Sequence, residues 1–136
     1  MSSSHQSFLA FDFGTRRVGV ASGNSLLRRA EGIRTINLRG EARWVEIQRT
    51  IGEWCPHALV VGVPFHPDGA EHENTRRARQ FAQQLRQRFG LMVYEVDERY
   101  STTEAISCGA EDLDAAAAAI ILTQYLQSLP DHFSGV

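Results

Sequence analysis

The chain has 136 residues, of which 43% are hydrophobic and 22% charged, and it carries a net charge of −2. That size and balance fit one globular domain with a real core, and no apolar run approaches the roughly 18 residues of a membrane span. The net charge alone argues for no nucleic-acid partner, but all 14 basic residues are arginine, and guanidinium groups bind phosphate in a bidentate way, so where they cluster matters more than their number.

Residues 1–7 lack the basic region and apolar core of a secretory signal and read as a disordered lead-in. Residues 8–128 form the expected single domain, and 129–136 a flexible tail. Cys55 and Cys108 belong to no Cys-x-x-Cys pair and no zinc spacing, which fits two reduced thiols in a cytoplasmic protein.

The first element is a hairpin over 8–22: an apolar run, Asp12, a turn containing Gly14, and a returning apolar strand, with Arg16 and Arg17 in or just after the turn. A third extended segment is expected near 33–36, between Gly32 and Gly40. Residues 41–54 read as an amphipathic helix whose face holds Trp44, Ile47, Ile51 and Trp54, with both tryptophans expected in the core and Pro56 ending the helix. The run 58–63 is apolar throughout, as in strands buried on both faces of a sheet. A loop with a Pro-Asp-Gly turn follows over 65–71. The next helix starts at Asn74 or Thr75, either of which is a suitable cap. Ala78, Phe81, Ala82, Leu85 and Phe89 line its apolar face, and Gly90 closes it. A strand over 91–96 leads into Asp97-Glu98-Arg99, and a short helical segment starts at Ser101 or Thr102. The last helix runs over 112–127 and carries five consecutive alanines, which allow close approach to a sheet. Strands alternating with helices in the second half imply a mixed sheet with parallel members and helical cover.

Three acidic positions stand out. Asp12 and the Asp97-Glu98 pair end strands, at the edge where open α/β sheets gather their ligands. Asp114 lies in the first turn of the last helix, where its carboxylate approaches Asp12 if that helix crosses the first strand. A carboxylate is costly to bury unless a partner neutralises it. Three converging without basic partners call for a hard cation, and oxygen ligands suit Mg²⁺. Two such ions can clamp the attacking and leaving oxygens of a phosphodiester. The ordinary alternatives are that Asp114 serves the helix N-terminus and that the 97–98 pair is a solvated strand end beside Arg99. Arg76, Arg77 and Arg79 follow a loop at the same edge, a position suited to phosphate-backbone contacts.

The ordered set of segments 11–21, 60–64 with Asp68-Gly69, 75–82, 97–99 with Ser101-Thr102 and Glu104-Ala105, and Asp114 with Ala117-Ala118 and Ile121-Leu122 resembles the YqgF/RuvX family, RuvC-like nucleases. The resemblance covers nearly the whole chain. It implies an α/β, RNase H-like fold: a five-stranded mixed sheet, its first three strands antiparallel, with helices on both faces. It implies a catalytic and metal-binding centre of Asp12, Glu98 and Asp114, with Asp97 as the alternative to Glu98, and Mg²⁺ or Mn²⁺ as cofactor. Thr15, Arg16, Arg17, Arg76, Arg77, Arg79, Arg99, Ser101 and Thr102 are the matching positions for gripping nucleic acid. The implied substrate is the 5′ end of pre-16S rRNA, in ribosome biogenesis, or branched DNA such as a Holliday junction. Ribosome association and a homodimer are compatible with it, and no membrane partner is expected. One departure is the short stretch 105–113, which is longer in the family and is expected to affect substrate grip or dimer contacts.

Two other classes compete. The Asp-x-Gly-Thr turn also resembles the phosphate-binding hairpin of actin-like ATPases, but those need a second such hairpin and this chain shows none. A non-catalytic RNA-binding or ribosome-associated factor on the same fold is the other. Clustered carboxylates speak against it, because they gain nothing from phosphates nearby.

Overall fold

Alternation along the first strand divides its side chains between two cores. Leu9 and Phe11 point to one, Phe8 and Ala10 to the other, and all four are essentially buried. A strand buried on both faces needs helices on both, and the rest of the chain supplies them. The structure, a computed structural model, describes residues 6–14, 16–63, 73–97 and 113–129. Its elements are β1 (Ser7–Phe13), β2 (Val18–Asn24), β3 (Arg29–Ile36), α1 (Gly40–Trp54), β4 (Ala58–Val63), α2 (Glu73–Phe89), β5 (Met92–Asp97) and α3 (Leu113–Ser128).

The strands form one five-stranded sheet in the order β3-β2-β1-β4-β5. β1, β2 and β3 pair antiparallel, whereas β4 pairs parallel with both β1 and β5. The mixed sheet, its antiparallel first three strands and its helical cover are therefore as expected. On one face, Leu9, Phe11, Val18, Val20, Leu59, Val61 and Val63 pack with Ile47 of α1 and Ala78, Phe81, Ala82 and Leu85 of α2. On the other, Phe8, Ala10 and Val60 pack with Ile121, Leu122 and Leu126 of α3.

Leu59 is fully buried in the larger core. Leu59→Ala is expected to cost about 2–5 kcal/mol, the range for truncating a buried leucine, measured by urea unfolding.

Local differences from the sequence expectations have physical causes. β3 begins at Arg29, earlier than the expected 33–36. Asn24 builds the preceding turn, its Oδ1 accepting from Leu27 N at 2.8 Å and its carbonyl from Arg28 N at 2.9 Å. A register shift opposite Val20 and Ala21 then breaks the period-two pattern that would have announced the strand. Arg34 of this edge strand reaches Glu46 and Thr50 at 3.1 and 3.3 Å and Glu53 at 3.0 Å, tying β3 to α1.

Trp44 does pack against the core, its ring tilted against Phe81 with centroids 5.4 Å apart. Trp54 does not. It is 43% exposed, because it stands in the last turn of α1 and borders a shallow cleft with Ser7 and Pro56. Cys55, in the left-handed region at φ 47°, ends that helix and donates its N–H to Ile51 O. It is exposed and free, while Cys108 lies outside the described residues. α2 already includes Glu73, so Asn74 and Thr75 are within the helix rather than its caps, and Thr75 is fully buried. The expected helical start at Ser101 or Thr102, the 105–113 stretch and most of the tail lie outside the described residues. Among the described residues, no helix is long and apolar enough to cross a membrane.

Candidate functional site

Asp12 is the penultimate residue of β1 and is half-buried. Its ladder partners are glycines on both sides, Gly19 of β2 and Gly62 of β4. Period-two alternation from Phe8 and Ala10 places Asp12 on the α3 face of the sheet. Directly opposed residues share a face, so Gly19 and Gly62 leave the sheet bare on either side of the carboxylate.

The first turn of α3 occupies part of that bare surface. A Cβ built on Gly19 would lie 1.9 Å from the Asp114 carbonyl oxygen and 2.2 Å from its carbon. A Cβ built on Gly32 would likewise lie 2.9 Å from the Ala115 carbonyl oxygen. Glycines in β2 and β3 and alanines in α3 thus let helix and sheet backbones meet. Asp114 is seated on the residue that pairs with Asp12, and the two acidic positions share one face and one edge.

Asp114 has a cationic partner that its sequence neighbourhood does not announce. Arg17 Nε, just before β2, is 2.9 Å from Asp114 Oδ2. The expectation of acids converging without basic partners therefore does not hold at this position. Arg16 is exposed in the same turn, and Thr15 lies outside the described residues.

Asp97 ends β5 opposite Val63. Val93 packs into the α1/α2 core, and Glu95 binds Arg79 and Arg86 of α2. Asp97 continues that alternation and stands on the α2 face, away from Asp12. Glu98, Arg99, Ser101 and Thr102 are outside the described residues. Among the described residues, no three His, Cys, Asp or Glu side chains are grouped to hold a metal ion. Asp12 and Asp114, half-buried carboxylates at one edge of the sheet, offer hard oxygen donors, and these fit an oxygen-seeking divalent cation rather than a soft one.

The arginines of α2 are engaged with carboxylates. Arg76 and Arg77 contact Glu73 at 2.7 and 3.1 Å, and Arg79 contacts Glu95 at 3.2 Å. The hydrogen bond from Arg76 is the main reason that the Glu73 carboxyl is held below its ordinary range. These are surface pairs, which contribute little to stability and are readily exchanged for phosphate oxygens.

Sequence reasoning did not single out Gly19, Gly62 or the Arg17–Asp114 pair. A glycine inside a core strand signals close approach of another backbone, and both Val18-Gly19-Val20 and Val61-Gly62-Val63 carry that signal. The ion pair joins residues far apart in sequence and leaves none.

The fold resembles that of Thermus thermophilus RuvC. A RuvC complex with a Holliday junction substrate superposes with a TM-score of 0.57 at 15% identity, covering 90% of this chain and 94% of that one. RuvC alone gives 0.55 at 14% identity, with 90% and 95% covered. The sheet order and the helices on both faces are those of the RNase H-like fold. A relative from Polaromonas sp. (strain JS666), named as a candidate pre-16S rRNA nuclease, is 65% identical over 125 residues, 92% of this chain and 91% of its own length. Relatives with the same name in Albidiferax ferrireducens and Paraburkholderia phytofirmans are 62% and 54% identical, covering 91% and 90% of this chain and 80% and 89% of their own lengths. Residues 6–128 match the RuvX family, described as Holliday junction resolvase, over the stretch that carries the Asp12 strand, the glycine-seated α3 helix and the whole sheet between them, and the chain belongs to that family.

Proposed function

We propose that this protein is a metal-dependent nuclease that hydrolyses phosphodiester bonds and processes the 5′ end of pre-16S rRNA. The observation that carries the reading is the placing of Asp114 on Gly19, the ladder partner of Asp12, which sets two carboxylates at one edge of an RNase H-like sheet. The substrate comes from relatives at 54–65% identity that are named for it. On that substrate the protein works in the cytoplasm, with the assembling small ribosomal subunit as its partner.

In this reading Asp12, Glu98 and Asp114 hold Mg²⁺ or Mn²⁺. The position of Asp97 on the α2 face favours Glu98 as the remaining ligand. A bound divalent cation supplies charge neutralisation at the scissile phosphate and a more acidic water. The protein's own groups do the rest. Gly19 lets the α3 backbone close onto the sheet and so holds Asp114 at the edge where Asp12 stands. Arg16 and the α2 arginines Arg76, Arg77 and Arg79 orient the strand through its phosphates without reading its sequence.

Glu73 competes with phosphate for Arg76 and Arg77. Glu73→Gln is expected to tighten RNA binding by about threefold at low salt and to steepen its salt dependence, because it removes a local negative charge. Filter binding across a salt series measures both.

The family description and the RuvC fold favour a second substrate, the four-way DNA junction. The test is cleavage of a labelled pre-16S 5′ fragment and a synthetic four-way junction, side by side with Mg²⁺. Cutting of the RNA at the 5′ processing region, with the junction spared, is the expected result. Junction cutting alone would transfer the assignment to the resolvase reading. Binding of RNA without cutting either substrate would favour the non-catalytic factor.

A further inference from the structure

Arg17 sits immediately before β2, where Val18 pairs with Phe13, so its backbone is anchored to the same strand pair that carries Asp12. Its side chain is 58% exposed, and it reaches a carboxylate that is 31% exposed. That carboxylate belongs to the residue whose backbone rests on Gly19 beside Asp12. Like charges brought to one edge of a sheet repel each other unless a cation stands between or beside them. Arg17 supplies a positive charge at one of them.

The same Asp114 carboxylate is one that a divalent cation would use. Mg²⁺ binds carboxylate oxygen at about 2.1 Å, and the guanidinium lies 2.9 Å from Oδ2. Simultaneous occupancy would bring two cations within roughly 5 Å in a partly shielded site, where like charges repel appreciably. An exposed ion pair is cheap to break, and a guanidinium is well shaped for a phosphate.

Resting on the metal-site reading above, we propose that Arg17 is the resident counter-ion of this site. It neutralises Asp114 in the cation-free protein, yields it to an incoming divalent cation, and is then available to a phosphate oxygen of the substrate strand. Arg17 is thus a positioning residue that links cation and nucleic-acid occupancy. Because such coupling is reciprocal, a strand that takes up Arg17 also tightens cation binding.

The test is Mn²⁺ binding to the full-length protein without nucleic acid, followed by the electron paramagnetic resonance signal of free Mn²⁺. Wild type, Arg17→Gln, Arg17→Lys and Asp12→Asn are compared, each also melted in chelator and in Mn²⁺. Arg17→Gln is expected to bind Mn²⁺ about fivefold tighter or more, and Arg17→Lys to stay near wild type. Arg17→Gln should melt below wild type in chelator, with Mn²⁺ closing the gap. Unchanged or weaker Mn²⁺ binding in Arg17→Gln, with binding lost in Asp12→Asn, would overturn the counter-ion role and leave the metal site standing. Equal, weak binding by wild type and Asp12→Asn would overturn the metal site, and this inference with it.

Discussion

Asp12→Asn is expected to lower the single-turnover cleavage rate by about 10³-fold or more while leaving the fold intact. Removing one properly placed electrostatic group from an active site commonly costs two to three orders of magnitude, and a cation ligand also sets how much cation is bound. Asn keeps the shape of Asp, so packing between Gly19 and Gly62 is undisturbed. It removes the negative charge, and its amide group presents donors where a cation needs oxygen. The fold should persist, because Asn matches Asp in size and shape. Urea unfolding and cleavage measured on the same preparation separate the two effects. A rate within a few-fold of wild type would remove Asp12 from the chemistry.

Gly19→Ala tests the architecture rather than the charge. The added methyl would meet the Asp114 carbonyl oxygen at 1.9 Å, its carbon at 2.2 Å and Ala115 N at 2.9 Å. All three are backbone atoms, so no side chain can swing away, and the start of α3 must lift from the sheet. Overpacking a tight interface typically costs about 1–3 kcal/mol, and the high end is expected here. Cleavage should fall further than the loss of folded protein explains, since Asp114 moves with the helix. Gly52→Ala is the matched control. Its Cβ would meet nothing within 4 Å, and an alanine inside a helix is favoured over glycine by about 0.5–1 kcal/mol. Gly52→Ala should therefore leave stability unchanged or raise it, with cleavage intact.

The contrast between these two glycines shows what the sequence conveys and what it does not. The unbroken apolar run of β4 and the 3.6-residue pattern of Ala78, Phe81, Ala82 and Leu85 are local signals, and both elements appear where those signals put them. β3 was only partly legible because its register shift and its Arg34 network with α1 break the alternation of an edge strand. Asp12 was legible because an acid at the end of a buried strand is conspicuous. The seating of α3 on Gly19 and the Arg17–Asp114 pair depend on how a distant helix crosses the sheet. The face occupied by Asp97 follows from alternation only once the positions of Val93 and Glu95 are known. No residue type at those positions reveals these contacts alone.

The most direct measurement of the central claim is cleavage of a 5′-labelled pre-16S fragment by wild-type protein, first in chelator and then after Mg²⁺ is restored. Metal-dependent hydrolysis at the Asp12–Asp114 edge requires that cutting stop in chelator and resume with Mg²⁺. Undiminished cutting in chelator, or cutting that Mg²⁺ does not restore in protein still folded, would contradict it.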